Sequence, residues 1–235
     1  MARQRVWITR TAPGAERTAQ AVRAAGFEPL VSPLLIANPL FATPDIGSLD
    51  NVAALAFTSV NGLAFADLSP RRDWLVFAVG DRTAQAARDR GFTDVVSAGG
   101  DANELARLIA RQWIARGWTD RPDILLVPTA AQPAADLAAL MEGDVSVRTI
   151  AVYEMQESPA APPADFDIVL IHSARAADIL ARRLKPAVAG RCVAVALSET
   201  AATPLRALGF ADLRIAARPD EPGLIAALGK APPAV

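Results

Sequence analysis

Short apolar runs in this 235-residue sequence end abruptly in residues that can hold a ligand. LAFTSVNG (55–62) breaks from a buried-strand pattern into Thr58, Ser59 and Asn61, and VLIHSARA (169–176) breaks into Ser173 and Arg175. FAVGDRT does so at Gly80 and Thr83, ILLVPT at Thr129, CVAVALSET at Ser198 and Thr200, and VWITR at Arg10. A turn of this kind feeds a helix whose first N–H groups lack intrahelical partners and which carries about half a positive charge, so it attracts carboxylates and phosphates without a lysine. Each Ser, Thr or Asn alone is also a favoured N-cap. Capping explains the set less well than it explains any one member. Arg10 is harder still to read as a cap, because a cation there opposes the dipole of the helix that follows.

Residues for acid–base or nucleophilic work are few. Tyr153, the only tyrosine, stands in TIAVYEMQ. Its phenol reads either as an amphipathic group at a domain edge or as a proton donor facing the binding turns. His172, the only histidine, adjoins Ser173 on one strand end. Neighbouring strand residues point to opposite faces, so a Ser–His nucleophile pair is not expected and His172 reads as packed or capping. Cys192, in RCVAVAL, reads as a buried strand thiol. No disulfide framework or zinc-ligand spacing occurs, and with neither a glycine-rich dinucleotide fingerprint nor a phosphate-binding loop, nicotinamide and ATP chemistry are not expected.

The elements that must position these residues repeat. RVWITR, VAALAFTS and WLVFAVG each lead through a polar turn into a helical segment, and DILLVPT, FDIVLIHS and CVAVALS do the same in the second half. Gly26 and Gly91 sit where a left-handed helix C-cap falls. Strands alternating with helices of this length predict parallel sheets covered by helices on both faces, a doubly wound α/β fold. The halves resemble each other, with Gly91-Phe92 matching Gly209-Phe210 and Ser59 matching Ser173, as an internal duplication would leave them.

Two Pro-rich segments, 32–45 and 153–167, read as passages between bodies. They predict a discontinuous α/β domain of residues 1–36 plus 158–235, a second α/β domain of 45–150, and linkers at 37–44 and 151–157. The fold class expected is therefore two doubly wound parallel-sheet (flavodoxin-like) domains joined by a two-stranded β connection, with an open interdomain cleft. In such sheets the ligand site lies at the carboxyl ends of the strands.

The bulk numbers exclude other classes. A formal net charge of −1, with no basic stripe, argues against nucleic-acid binding. Hydrophobic content of 52% with 21% charged residues is that of a folding chain. No apolar run approaches the ~20 residues of a membrane span, and the N-terminus lacks the pattern of a signal peptide. A soluble cytoplasmic monomer is expected.

Taken in order, these segments resemble the uroporphyrinogen-III synthase family. VWITR with its helix and GFEPLVSPLL is similar to the family's opening, LAFTSVNG to its TS-x-N turn, FAVGDRTAQAARDRGF to its AVG-x-x-T unit, and AVY to its linker tyrosine. The resemblance implies a cofactor-free lyase that cyclises linear hydroxymethylbilane, a tetrapyrrole with eight carboxylates. The product is uroporphyrinogen III, formed with loss of water and inversion of the last pyrrole ring through a spiro intermediate. It implies Tyr153 as the acid that protonates the departing hydroxyl, and transient handover from the preceding and to the following pathway enzymes. The chain differs from the family pattern where PTAAQP follows ILLV in place of an Arg-Gly pair, and where ALSET stands for a glycine-containing turn. The reading kept open beside it is a non-catalytic two-domain protein that binds a tetrapyrrole or another polyanion.

Overall fold

Strand β1 (Arg5–Ile8) shows why these short apolar runs need helices on both sides. Its residues alternate between faces: Val6 and Ile8 pack with Ala15, Ala19 and Val22 of α1 (Gly14–Ala24) and with Leu224 of α9 (Glu221–Ala226). Trp7 packs on the other face with Ala177 and Leu180 of α6 (Ala174–Arg183), Ala201 of α8 (Glu199–Ala202) and Leu205 of a 3-10 helix (Thr203–Leu208). A strand buried on both faces reads as a continuous apolar run. Burying a side chain such as Trp7 or Phe57 contributes about 1.5–3 kcal/mol, so each sheet face is held mainly by a few such residues.

The computed structural model describes residues 3–12, 14–40, 51–68, 71–119, 121–141 and 145–230. Residues 41–44 of the first expected linker and 45–50 at the start of the second expected domain lie outside the described residues. The chain divides into two compact units, Met1–Ile36 with Gln156–Val235, and Ala37–Met155.

In the first unit the described strands form a five-stranded sheet. Its order is β11 (Asp212–Ile215), β10 (Val193–Ala196), β9 (Ile168–Ile171), β1, β2 (Glu28–Val31), with every neighbour parallel. A short helix, α7 (Pro186–Ala189), leads into β10. The chain leaves β1 toward β2 and leaves β9 in the opposite direction, toward β10. The switch point of this sheet is therefore the gap beyond the ends of β1 and β9. Thr9 closes that gap from below, its hydroxyl donating to the Leu170 carbonyl at 2.6 Å.

The second unit holds a six-stranded sheet among the described residues. Its order is β3 (Leu35–Pro39), β8 (Ser146–Glu157), β7 (Ile124–Ala130), β4 (Val52–Phe57), β5 (Leu75–Ala78), β6 (Val95–Ser97). The pairs β8·β7, β7·β4, β4·β5 and β5·β6 are parallel. Leu55 and Phe57 face Leu63 of α2 (Val60–Phe65) and Ala87 of α3 (Asp81–Asp89). Ala54 and Ala56 face Leu105, Ile109 and Trp113 of α4 (Ala102–Ala115) and Leu137 of α5 (Leu137–Leu140). The small alanines let the long, amphipathic α4 approach the sheet closely. The switch point lies between the ends of β4 and β7.

The Pro-rich segments read as passages between bodies are in part strands. Pro39 ends β3, and residues 151–157 complete β8, which neighbours β3 in the sheet. Proline is tolerated at a strand end because no ladder hydrogen bond is lost there. The chain passes between the two units along these two strands. Gly91 and Gly209, from the repeated Gly-Phe pairs, take φ of 89° and 67°, the left-handed exit that only glycine adopts cheaply.

Candidate functional site

Tyr153 reaches the switch point of the second unit through a bulge. Along β7 and β8 the register runs Pro128 with Ile150 and Thr129 with Ala151, then jumps to Ala130 with Tyr153. The extra residue, Val152, reverses the alternation, so Val152 and Tyr153 both pack into the apolar cluster beneath α2 and α3. Bulges recur where a strand must re-aim a side chain. The re-aimed phenol ring is 6% exposed and stacks on Phe65 with ring centroids 5.5 Å apart and planes at 26°.

At the same point the turn after β4 supplies Ser59. Its backbone is extended, and its Oγ accepts the Gly62 N–H at 3.1 Å, which makes it the N-cap of α2. That oxygen also stands 3.2 Å from the Tyr153 hydroxyl. Gly62 is required by close approach: a Cβ there would stand 2.5 Å from the Pro128 carbonyl oxygen, so α2 presses directly on the backbone of β7.

Thr58, Ser59, Thr129, Gln132, Tyr153 and Met155 are among the residues lining a cavity of about 370 Å³ at this switch point. Ligand pockets run from about 300 to 1,000 Å³, so this one takes a fragment the size of a substituted ring. Among the described residues that line it none is charged, and Val79, Ala130, Pro133 and Ala134 make much of its wall apolar.

Other residues chosen from the sequence fall differently. Asn61 lies in the first turn of α2 and Gly80 caps α3 without a side chain; neither lines the cavity. Thr83 was expected in the turn but sits inside α3 at 4% exposure, because the helix begins at Asp81. Thr129, likewise expected in a turn, is the penultimate residue of β7 and 5% exposed; the strand runs to Ala130 because β8 continues to pair with it.

In the first unit Ser173 caps α6, accepting the Ala176 N–H at 3.2 Å, and Ser198 caps α8, accepting the Ala201 N–H at 3.3 Å. Arg175 and Thr200 are exposed in the first turns of those helices. Cys192 is buried beside β10, its thiol donating to the Phe166 carbonyl at 3.2 Å; burial, first among the causes, raises its pKa. The sequence reading of a buried strand thiol holds for its burial, though Cys192 stands one residue before β10.

Arg10 has a partner that sequence reasoning missed. Its guanidinium donates to Glu221 Oε2 at 2.8 Å and lies against the Cα of Gly14, where any Cβ would come within 2.5 Å of it. The Thr18 hydroxyl donates to Glu221 Oε1. His172 Nε2 stands 3.6 Å from Oε2, beyond hydrogen-bonding distance, and the histidine side chain is 10% exposed. Burial, the largest cause, lowers the pKa of His172. Burial would raise that of Glu221, but His172, Thr18 and Arg10 outweigh it and bring the carboxyl to about 2. At neutral pH His172 is uncharged, so the ionised Glu221 is met there by the Arg10 cation and the Thr18 hydroxyl. The one signal for Glu221 was its place behind the N-cap Asp220 in PDEPG, which marks a helix start but not the distant arginine.

Among the described residues no group of three or more His, Cys, Asp or Glu could hold a metal ion, and no helix is long and apolar enough to cross a membrane.

Residues 16–226 match the family model for uroporphyrinogen-III synthase. The chain belongs to the uroporphyrinogen-III synthase family. The family is one of lyases in porphyrin biosynthesis, which favours an enzyme over the non-catalytic binding module weighed from the sequence. No curated protein matches the chain. Among solved structures, uroporphyrinogen-III synthetase from Helicobacter pylori 26695 is 18% identical, with 95% of this chain and 97% of that chain covered and a TM-score of 0.63. At that identity the likeness bears on the fold, and it agrees with the two mainly parallel sheets. A mutant uroporphyrinogen III synthase from the extremely thermophilic bacterium Thermus thermophilus is 17% identical over 95% of this chain and 96% of that chain, with a TM-score of 0.48.

Proposed function

We propose that the chain closes linear hydroxymethylbilane to uroporphyrinogen III with Tyr153 as the proton donor. The observation that carries this reading is the Tyr153 hydroxyl, 3.2 Å from Ser59 Oγ, at the wall of the mostly apolar cavity at the switch point of the second unit. The hydroxymethyl C–O bond breaks with its electron pair on oxygen, which takes the phenol proton and leaves as water. The azafulvene cation that remains is attacked by the last pyrrole through its substituted carbon. The spiro intermediate fragments and recloses with that ring inverted, and the proton released on rearomatisation can return to the phenolate.

A reactive precursor that cyclises by itself asks little of side-chain chemistry. Holding one conformer and excluding direct closure is the larger task. An apolar wall suits a pyrrole ring and a departing water, while the substrate carboxylates fit main-chain N–H groups at capped helix starts. Thr58, Ser59, Asn61, Gly80, Thr83 and Thr129 in one unit, and Arg10, Ser173, Arg175, Ser198 and Thr200 in the other, remain the proposed set around substrate. Ser59 and Thr129 are supported by the cavity, and Thr83 is supported least because it is closed off in α3. The division into compact units at 36/37 and 155/156 supports a two-domain organisation.

We place the enzyme in the cytoplasm as a monomer. Spontaneous closure of the free precursor favours its transient handover from the preceding enzyme and release of product to the following one. The test is to mix the purified chain with freshly generated hydroxymethylbilane and separate the oxidised porphyrin isomers. Type III in excess supports the reading; type I alone removes it.

A further inference from the structure

We infer that Ser59 is the positioning residue of Tyr153, holding the phenol through the reaction rather than gripping a substrate carboxylate. This rests on the reading of Tyr153 as proton donor. The Gly62 N–H, 3.1 Å from Ser59 Oγ, occupies one lone pair of that oxygen, and the Tyr153 hydroxyl stands 3.2 Å away. Before proton transfer either hydroxyl can be the donor. Once the phenol has given its proton to the leaving oxygen, the phenolate can only accept, and the Ser59 O–H is the donor already aimed at it. Ser59 can serve both states because a hydroxyl rotates while its oxygen stays fixed by the cap.

The surroundings make that geometry stiff. Helix α2 holds both ends of the tyrosine: Ser59, its N-cap, meets the hydroxyl, and Phe65, its last residue, stacks on the ring at 5.5 Å. The helix cannot slide toward β7, since Gly62 is already against the Pro128 carbonyl. The bulge at Val152 fixes the tyrosine from the strand side, and the Ala131 N–H donates to the Tyr153 carbonyl at 2.8 Å. With the phenol proton turned to the leaving oxygen, the Ser59 O–H donates to the Tyr153 oxygen, and a substrate carboxylate seeking Ser59 would have to displace that bond.

The test uses Ser59→Gly, which keeps most of the capping preference, together with Ser59→Thr, Tyr153→Phe and Ser59→Gly/Tyr153→Phe. With hydroxymethylbilane as substrate, Ser59→Gly is expected to lower kcat for type III formation about tenfold, with KM held within about twofold. Ser59→Thr restores the rate. The double variant is no slower than Tyr153→Phe alone, because a residue acting through the phenol has nothing left to act on. Since Tyr153 is the only tyrosine, a ring-labelled sample gives one tyrosine Cζ resonance. It should move in Ser59→Gly and return to the parent position in Ser59→Thr. Additive effects in the double variant, or an unmoved Cζ resonance in Ser59→Gly, overturn the proposal. Tyr153→Phe at the parent rate overturns the donor reading itself, whereas a slow Tyr153→Phe with Ser59→Gly at the parent rate overturns positioning alone.

Discussion

Arg10 and Glu221 form an ion pair at 2.8 Å between residues 211 positions apart in the chain. The pair ties the start of α9 to the end of β1, and with side chains 29% and 31% exposed it lies between a surface bridge and a buried one. Removing one partner of a buried pair leaves the other uncompensated, while surface pairs are worth little. Glu221→Gln should therefore lower unfolding free energy by about 1–2 kcal/mol. Urea denaturation at neutral pH checks this, and an unchanged midpoint would show that the pair contributes nothing net.

Acid should weaken the same corner in two steps. His172 has its pKa lowered below the ordinary 6.5 by burial, so between 6.5 and its folded value the unfolded chain binds a proton that the folded chain refuses. Stability falls as pH drops through that window and is unaffected by this group above it. Glu221, lowered from 4.5 to about 2, contributes stability in full above 4.5 and loses it as pH falls through about 2. The charged and titratable neighbours of His172 in this cluster are Arg10 and Glu221. Denaturation midpoints across pH should lose the upper step in His172→Asn and the lower step in Glu221→Gln.

Gly62→Ala should be costly despite its small size. The added Cβ would lie 2.5 Å from a backbone oxygen that cannot swing aside as a side-chain end can. Overpacking of this kind costs about 1–3 kcal/mol. Thermal unfolding should show the loss, and the displaced α2 should also slow turnover by carrying Ser59 away from Tyr153. Parent-like stability and turnover would mean that α2 is free to lift.

Tyr153→Phe keeps the ring that stacks on Phe65 and removes only the hydroxyl. General acid catalysis contributes about 10²–10⁴-fold, and a substrate that already ionises readily should sit at the low end. Type III formation is expected to fall about 10²-fold with an unchanged circular dichroism spectrum. Full turnover in this variant would take the phenol out of the chemistry.

Much of the fold was legible because its signals are local. The apolar runs of RVWITR and FDIVLIHS, buried on both faces, could only be strands of a parallel sheet, and Gly91 and Gly209 marked helix exits by a φ that other residues avoid. Ser59, Ser173 and Ser198 were readable as turn residues for the same reason, and all three are N-caps. Asn61, Thr83, Arg175 and Thr200, expected in turns, lie in the first turns of α2, α3, α6 and α8, and Thr129 lies in β7, because helix starts and pairing with β8 settle these ends rather than the turn itself.

Doubly wound α/β units with polar turns at the strand ends follow from the order of residues alone, since periodicity, capping and glycine placement are properties of near neighbours in the chain. What those turns face is a matter of packing. A one-residue bulge beside Thr129 and Ala130 carries Tyr153 onto the face of α2 and to Ser59. The fold also gives Arg10 a carboxylate from the far end of the chain. Both depend on register and long-range contact, which join residues 94 and 211 positions apart and leave no periodic trace in the sequence.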